Sequence, residues 1–406
     1  MKVEKDPEKI DELLTRTVSG ILPSSKELRE LLLSGKRLRV YLGLDATGSE
    51  IHLGHMIPLS VLEQFRLLGH EAIVLFGDFT AQIGDPADKN AVRKVLTKDQ
   101  VEENLKTWEA QVGEIVSFDD PKNPAIIKRN SEWLSKLSFD ELITIASQFT
   151  VQHMIERDMF EKRLTEGKPI FLHEFFYPLM QGYDSVMLHA DIEIGGSDQL
   201  FNMLAGRTLV RIFEKKEKFV ITTPLISHPH TGKKLMSKSE GDYISITEDA
   251  RNMYGKIMAL PDEVIIPLFT HITTTPLSVI EKMKSELSGG KNPRDIKHIL
   301  AHEVVARIHG PEKAGEAQES FITSFQKKGV PDEIPEISVQ QGARLGDVLC
   351  DSGLVGSKSE FRRLILGNAI REVPGDRVVL SEYAIISQDI VLRVGKHRFI
   401  KVKVVS

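Results

Sequence analysis

Apolar residues along the chain fall into short dense runs separated by longer amphipathic stretches, the arrangement expected of strands alternating with helices. Residues 38–44 form a mostly apolar run with β-branched and aromatic members, which predicts a buried strand, and a helix is expected to begin near Gly54 and run over 56–68. Gly69 closes that helix, and 71–77 reads as a second apolar strand, so strand, helix and strand make one βαβ unit. Upstream, Ser24 and Glu27 have the spacing of a capping box before a leucine-rich helix that Gly35 ends. Residues 99–190 read mainly as helices, including one over 173–188; 191–195 is a strand candidate, 195–199 a turn, 201–213 a helix and 219–226 a last strand. Helical patterns dominate from 249 to 325, and 326–337, with Pro331 and Pro335, reads as a linker. The tail from 338 mixes helical patterns with short β-rich pieces.

The expected architecture is therefore α/β: a Rossmann-like, doubly wound parallel sheet over 1–228, a helical middle domain over 229–325, the linker, and a small α+β domain over 338–406. A chain of 406 residues with 41% hydrophobic content supports two or three domains of this kind. One cysteine, Cys350, excludes an internal disulfide and a multi-cysteine zinc site and suits a reducing compartment, so a cytoplasmic location is expected. Residues 1–11 are charged and lack an apolar core, unlike a signal peptide, and no run is apolar enough to span a membrane. The net charge is −5, but it is uneven: residues 338–406 hold 11 Lys+Arg against 7 Asp+Glu, while the remainder holds 42 against 51. An anionic partner is expected on the tail.

Doubly wound sheets bind ligands at the carboxyl ends of their strands, which is where 41–55 and the loop after Gly77 fall. The first of these segments reads Tyr-Leu-Gly-Leu-Asp-Ala-Thr-Gly-Ser-Glu-Ile-His-Leu-Gly-His. A helix start offers N–H groups and a positive dipole end to a phosphate, and His52 and His55, three apart, would share one face of that helix. Gly54 between them removes a side chain, so a flat adenine or ribose can approach the backbone. A second basic, turn-rich segment reads Lys234-Leu235-Met236-Ser237-Lys238-Ser239. Taken singly, the first is also explained as a pair of histidines at a helix cap and the second as a solvated loop.

Together and in this order they resemble the HIGH and KMSKS signatures of class I aminoacyl-tRNA synthetases. Tyr41 eleven residues before His52, then Tyr177, Gln181 and Asp184, then Gly195-Gly196-Ser197-Asp198-Gln199, narrow the resemblance to the bacterial-type tyrosyl-tRNA synthetases over nearly the whole chain. The tail, with Ala343 to Leu349 and Ser357 to Ile365, resembles the RNA-binding domain of ribosomal small-subunit protein four. The resemblance implies ATP and L-tyrosine as substrates, Mg²⁺ accompanying the ATP, tRNA(Tyr) as acceptor, and a homodimer. It implies that Thr47, His52 and His55 contact the triphosphate and that Lys89, Arg93 and Lys238 close over it in the transition state. It places Tyr41 and Asp184 near the phenolic hydroxyl, with Asp184 also orienting Tyr41. It places Thr80, Asp85, Tyr177 and Gln181, with Asn130 as a further candidate, near the ammonium. Asp45 and Asp198 suit the ammonium or ribose region and Gln199 the carboxylate; with Gly54, Met236, Ser237 and Ser239 they complete the implied ATP set. Arg344, Lys358, Arg362 and Arg363 are the implied RNA contacts, and no resident metal site is implied.

The chain departs from the family pattern at Ala46, where proline is common, at Leu200, where tryptophan is frequent, and at Leu235, which occupies the first lysine position of the second signature. Lys234 would have to substitute from one residue away, or the loop would rely on Lys238. Two rival readings follow. Tryptophanyl-tRNA synthetase shares the scaffold, but Tyr41 with Asp184 suits a hydroxyl. A catalytically inactive RNA-binding protein on the same scaffold is disfavoured by the presence of His52, His55, Lys89, Arg93 and Lys238.

Overall fold

The computed structural model describes residues 2–85, 96–156, 158–228, 235, 243–327, 335–373, 377–395 and 398–405. Two compact units divide the chain, Met1–Gly315 and Glu316–Ser406.

The first unit is built on a six-stranded sheet: β1 (Gly20–Leu22), β2 (Arg39–Leu44), β3 (Glu71–Phe76), β4 (Ile126–Arg129), β5 (Ile192–Gly196) and β6 (Phe219–Thr223), in the order β1-β6-β5-β2-β3-β4. All neighbours are parallel except β1 with β6. Val40, Tyr41 and Leu42 are all buried, as in a sheet covered on both faces. The chain leaves β2 toward β3 and β4 and returns on the other side through β5 and β6, so a topological switch point lies between β2 and β5.

Strands β2, β3, β5 and β6 and the helices Leu53–Leu67 and Leu200–Glu214 lie where the apolar pattern predicts them. Pro224 follows β6, so the strand ends earlier than expected, because proline has no N–H to donate to a ladder. The helix expected over 173–188 is a 3₁₀ turn at Leu172–Phe175 followed by an α-helix at Phe176–Met187. Two strands had no visible pattern. β1 is three residues long and β4 four, both at sheet edges, and each exists through pairing with a segment distant in sequence. The helices that follow, Ala250–Ala259, Ile265–Ile272, Leu277–Ser288 and Pro293–His309, are tied to the sheet-bearing part within the same unit. Arg307 donates to the Ser60 hydroxyl at 3.0 Å, and Arg16 donates to the carbonyls of Thr270, Thr273 and Thr275 at 3.1, 2.8 and 2.7 Å.

The second unit carries a five-stranded sheet of β7 (Glu336–Gln340), β8 (Ile370–Val373), β9 (Arg377–Val378), β10 (Ile390–Val394) and β11 (Arg398–Val405), ordered β7-β11-β10-β8-β9. Helices Leu345–Asp351 and Lys358–Leu366 share its core of Leu345, Leu349, Phe361, Ile365, Leu392 and Ile400. They approach closely because position 346 is glycine; a Cβ there would lie 2.9 Å from the Phe361 ring. The expected α+β tail is what this unit forms.

Candidate active site

A cavity of about 330 Å³ opens at the carboxyl ends of β2 and β5, at the switch point. Its lining includes Asp45, Thr47, His52, Gly54, His55, Thr80, Asp85, Asn130, Tyr177, Gln181, Asp184, Asp198 and Gln199. Thirteen of the expected residues are thus brought together from segments up to 154 positions apart. Tyr41 is not among the described lining residues. Lys89, Arg93, Lys234, Met236, Ser237, Lys238 and Ser239 lie outside the described residues; Leu235 is described, and it lines the cavity beside Leu225 and Ile226.

At the end of β2 the Asp45 carboxylate accepts from the Thr80 hydroxyl and from the Tyr177 hydroxyl, both at 2.8 Å. Gly77 makes room for it, since a Cβ there would fall 1.9 Å from Asp45 Oδ1. Burial above all, then the charges of Asp45 and Asp85, push the Tyr177 hydroxyl well above its ordinary pKa, so it remains a donor. The loop that follows β2 is clamped from outside. In the Lys98–Gly113 helix, Asn104 donates to the Ala46 carbonyl at 2.8 Å, Trp108 to that of Gly48 at 2.6 Å and Gln111 to that of Ser49 at 2.9 Å.

His52 and His55 do not share a face of the helix as expected, because His52 is the N-cap and only His55 is helical. The Nδ1 of His52 accepts from the Gly54 N–H and the Nδ1 of His55 from the His52 N–H, each at 3.1 Å. Both rings are 3.9 Å apart between centroids. With both Nδ1 atoms used as acceptors, each neutral ring carries its proton on Nε2, giving two N–H donors at a helix N-terminus.

Deeper in the cavity Asp184 is 2% exposed and is held by Trp133 Nε1 at 2.7 Å and Asn130 Nδ2 at 3.2 Å. Burial pushes its carboxyl well above the usual carboxylate range, against those two hydrogen bonds, which pull it down. Asn130, a candidate for the ammonium, also donates to Thr80 at 3.0 Å and accepts from the Phe79 N–H at 3.0 Å, so it ties the two halves of the pocket together. The expected contact between Asp184 and Tyr41 is not formed. Tyr41 is fully buried and its hydroxyl meets the Ser185 hydroxyl at 2.7 Å, one residue along the helix and hence on a different face. Gln181 donates to Glu193 Oε1 at 3.0 Å, and Gln199 donates to Asp85 while accepting from Asn202 at 3.0 Å.

The sequence reading missed Trp133, Ser185, Glu193 and Lys218. A charged residue between Ile192 and Ile194, inside a buried parallel strand, is the signal that would have found Glu193. The described lining holds five carboxylates, of Asp45, Asp85, Asp184, Glu193 and Asp198, and no lysine or arginine. Among the described residues no cluster of His, Cys, Asp and Glu is arranged to hold a metal ion.

Residues 33–326 match the family model described as tRNA synthetases class I (W and Y). The chain is similar to the tyrosine–tRNA ligase of Carboxydothermus hydrogenoformans, 44% identical over 405 residues, covering 96% of this chain and 97% of that protein. It is also similar to the tyrosine–tRNA ligase of Thermotoga maritima, 40% identical over 398 residues and covering 98% of each. The fold is like that of a C-terminally truncated Aspergillus nidulans mitochondrial tyrosyl-tRNA synthetase, with TM-score 0.68, 23% identity, and 78% and 94% of the two chains covered. It is like that of an Archaeoglobus fulgidus tyrosyl-tRNA synthetase complexed with L-tyrosine at TM-score 0.59, 23% identity, and 77% and 99% covered.

Proposed function

We infer from the family to which this chain belongs, the class I tRNA synthetases of the W and Y type, that it is a tyrosine–tRNA ligase. It activates L-tyrosine with ATP and transfers the tyrosyl group to the 3′ end of tRNA(Tyr). In the first step a tyrosine carboxylate oxygen bonds to the α-phosphorus while the bond from that phosphorus to the bridging oxygen breaks, and pyrophosphate leaves with its electrons. In the second a terminal ribose hydroxyl of the tRNA bonds to the acyl carbon, the bond from that carbon to the bridging phosphate oxygen breaks, AMP leaves with its electrons, and the hydroxyl proton is given up to the AMP phosphate or to water. A carboxylate is already ionised at neutral pH, so the first step needs no general base, only stabilisation of charge growing on phosphate oxygens.

The observation that carries the assignment of roles is the buried Asp184 carboxylate, held by Trp133 and Asn130 at the floor of the cavity. A phenol donating to Asp184 would satisfy a polar group that phenylalanine leaves unpaired, and discrimination of this kind reaches ~10⁵; tyrosyl-tRNA synthetase is the standard example. The acceptors around Asp45, Asp85 and Gln181 suit the ammonium, with Thr80 and Tyr177 holding Asp45 in place. Gln199 suits the substrate carboxylate and Asp198 the ribose. His52 and His55 donate through Nε2 to the triphosphate beside Thr47 and Gly54. Asp45, Asp85 and Asp198, without a lysine or arginine among the described lining, make the cavity unfavourable for a triphosphate by itself. Positive charge from Lys89, Arg93 and Lys238, and Mg²⁺ bound to the phosphates, supplies the balance in this reading. Lys238, with Lys234 beside Leu235, would act on the transition state from the loop of Met236, Ser237 and Ser239.

The catalytic domain of this reading spans 1–228 and the helical tRNA-facing domain 229–325. The 338–406 domain grips RNA through Arg344, Lys358, Arg362 and Arg363, all four of which are exposed. Phe139, Ile143, Val151, Leu164, Phe171 and Leu172 are large, apolar and at least half exposed within residues 139–172 of the first unit, which supports a homodimer formed through that stretch. A cytoplasmic setting agrees with the free Cys350. Among the described residues no helix is long and apolar enough to cross a membrane.

ATP–pyrophosphate exchange across the twenty amino acids tests the function. Exchange with tyrosine alone is expected, and Asp184→Ala should lower kcat/KM for tyrosine by about 1–3 kcal/mol or more in a folded protein. Exchange with no amino acid would return the chain to RNA binding alone; unchanged tyrosine kinetics in Asp184→Ala would overturn the role given to that residue.

A further inference from the structure

One carboxylate of the cavity lining, Glu193, belongs to a charged pair to which the reaction above assigns no role. Glu193, the second residue of β5, is 2% exposed, and Lys218, just before β6, is fully buried; the two form an ion pair through Glu193 Oε2. Lys218 Nζ also donates to the Ser185 hydroxyl at 2.8 Å and lies 5.9 Å from the centre of the Tyr41 ring. Glu193 Oε1 accepts from Gln181 at 3.0 Å, while its Oε2 faces the Ser185 hydroxyl at 3.3 Å. The backbone is shaped for this cluster, because a Cβ on Gly206 would fall 2.5 Å from both Lys218 Nζ and Ser185 Oγ.

A buried ion pair is a poor device for stability, since an apolar pair of the same volume usually does as well. What it supplies is direction. An ammonium only donates and a carboxylate only accepts. Lys218 donates to Ser185, whose own proton goes to Glu193, so the remaining lone pair of Ser185 takes the Tyr41 proton. Glu193 accepts from Gln181, so the carboxamide nitrogen faces the pair and its oxygen is turned the other way, toward the cavity that Gln181 lines.

We propose that Glu193 and Lys218 are positioning residues for tyrosine, holding the Gln181 carboxamide with its oxygen as an acceptor for the substrate ammonium. This inference rests on the reading of the cavity as a tyrosine site. Removing both charges releases the amide to turn its N–H groups toward the ammonium, while the parts that touch ATP are unaltered.

The test is the double variant Glu193→Gln with Lys218→Met, which leaves no buried charge unpaired, assayed by pyrophosphate exchange. KM for tyrosine should rise about tenfold or more, with kcat and KM for ATP within about threefold of the parent. Two inhibitors separate positioning from general damage. Tyramine keeps the ammonium and should weaken in parallel with tyrosine; 3-(4-hydroxyphenyl)propionate lacks it and should bind as before. Equal weakening of both, or an unchanged tyrosine KM in a folded double variant, would overturn the proposal. Should that variant not fold, Gly206→Ala displaces Lys218 while keeping both charges; the same tyrosine-selective loss is expected, and its absence overturns the proposal equally. Failure of the parent protein to exchange with tyrosine would instead remove the underlying reading.

Discussion

The wall behind the cavity and the surface of the C-terminal unit are built from the same ionisable residue types and use them in opposite ways. Lys218 and Glu193 are 0% and 2% exposed at their side chains, whereas Lys358 with Asp347, at 2.8 Å, are 75% and 46% exposed, and Arg362 with Glu382, at 2.7 Å, are 64% and 34% exposed. In water the attraction within a pair is screened and its partners exchange readily; in the interior each charge needs its partner and a full set of hydrogen bonds. The interior pair can therefore hold a neighbouring amide in one orientation. The surface pairs can open and give their cations to a phosphate. One kind of chemistry suits selection of a small molecule, the other suits reversible docking of a polyanion.

The largest effect that bears on this contrast is expected from Glu193→Ala alone. It leaves the Lys218 ammonium buried with Ser185 as its remaining partner, and breaking a buried pair in this way costs about 3–5 kcal/mol. Urea denaturation measures it; a loss below about 1 kcal/mol would mean that this interior is as wet as the surface.

Next in size is a pH effect at another buried group. His70 is 1% exposed and its Nδ1 accepts from the Leu38 N–H at 3.2 Å. Burial, then the nearby charge of Arg37, pulls its pKa from 6.5 down to about 4. The fold accommodates the neutral ring, so its contribution is fully present above pH 6.5 and is lost as the pH falls toward 4. That loss is on the order of 2–3 kcal/mol. Denaturation followed between pH 7 and 4 should show the decline, and His70→Gln should flatten it. An unchanged slope in the variant would move the acid sensitivity to other groups.

The smallest effect on stability belongs to the surface. Lys358→Ala with Arg362→Ala should leave the thermal midpoint of the full-length protein within the scatter of the measurement. Binding of tRNA should weaken, and the slope of log K against log salt should flatten by roughly 2, because two fewer phosphates are neutralised. A large drop in the midpoint, with tRNA binding intact, would make these residues part of the framework and erase the contrast.

Local pattern was enough to read a good part of this molecule. The apolar runs that become β2, β3, β5 and β6 are visible because a parallel strand covered on both faces must be apolar throughout, and the helix after His52 is visible because its start carries capping chemistry. The expectation that a doubly wound sheet binds ligands at the carboxyl ends of its strands located the cavity, and thirteen of the candidate residues line it. The edge strands β1 and β4 were not legible. Three or four residues carry too little periodicity, and their pairing with β6 and β3 is what makes them strands.

The polarity of the pocket was decided only by the tertiary structure. Tyr41 and Ser185 are 144 residues apart, Asn130 and Asp184 are 54 apart, and Lys218 and Glu193 are 25 apart. Nothing in a one-dimensional pattern says which acceptor a buried hydroxyl will meet, or that Tyr41 would bond to Ser185 and leave Asp184 to Trp133 and Asn130. The sequence by itself determined which residue types stand at the ends of the strands, because periodicity and capping act over a few neighbouring positions. Which donor faces which acceptor there depended on helix Phe176–Met187 and strands β5 and β6 closing on one another, since the direction of a buried hydrogen bond is set by all of its partners at once.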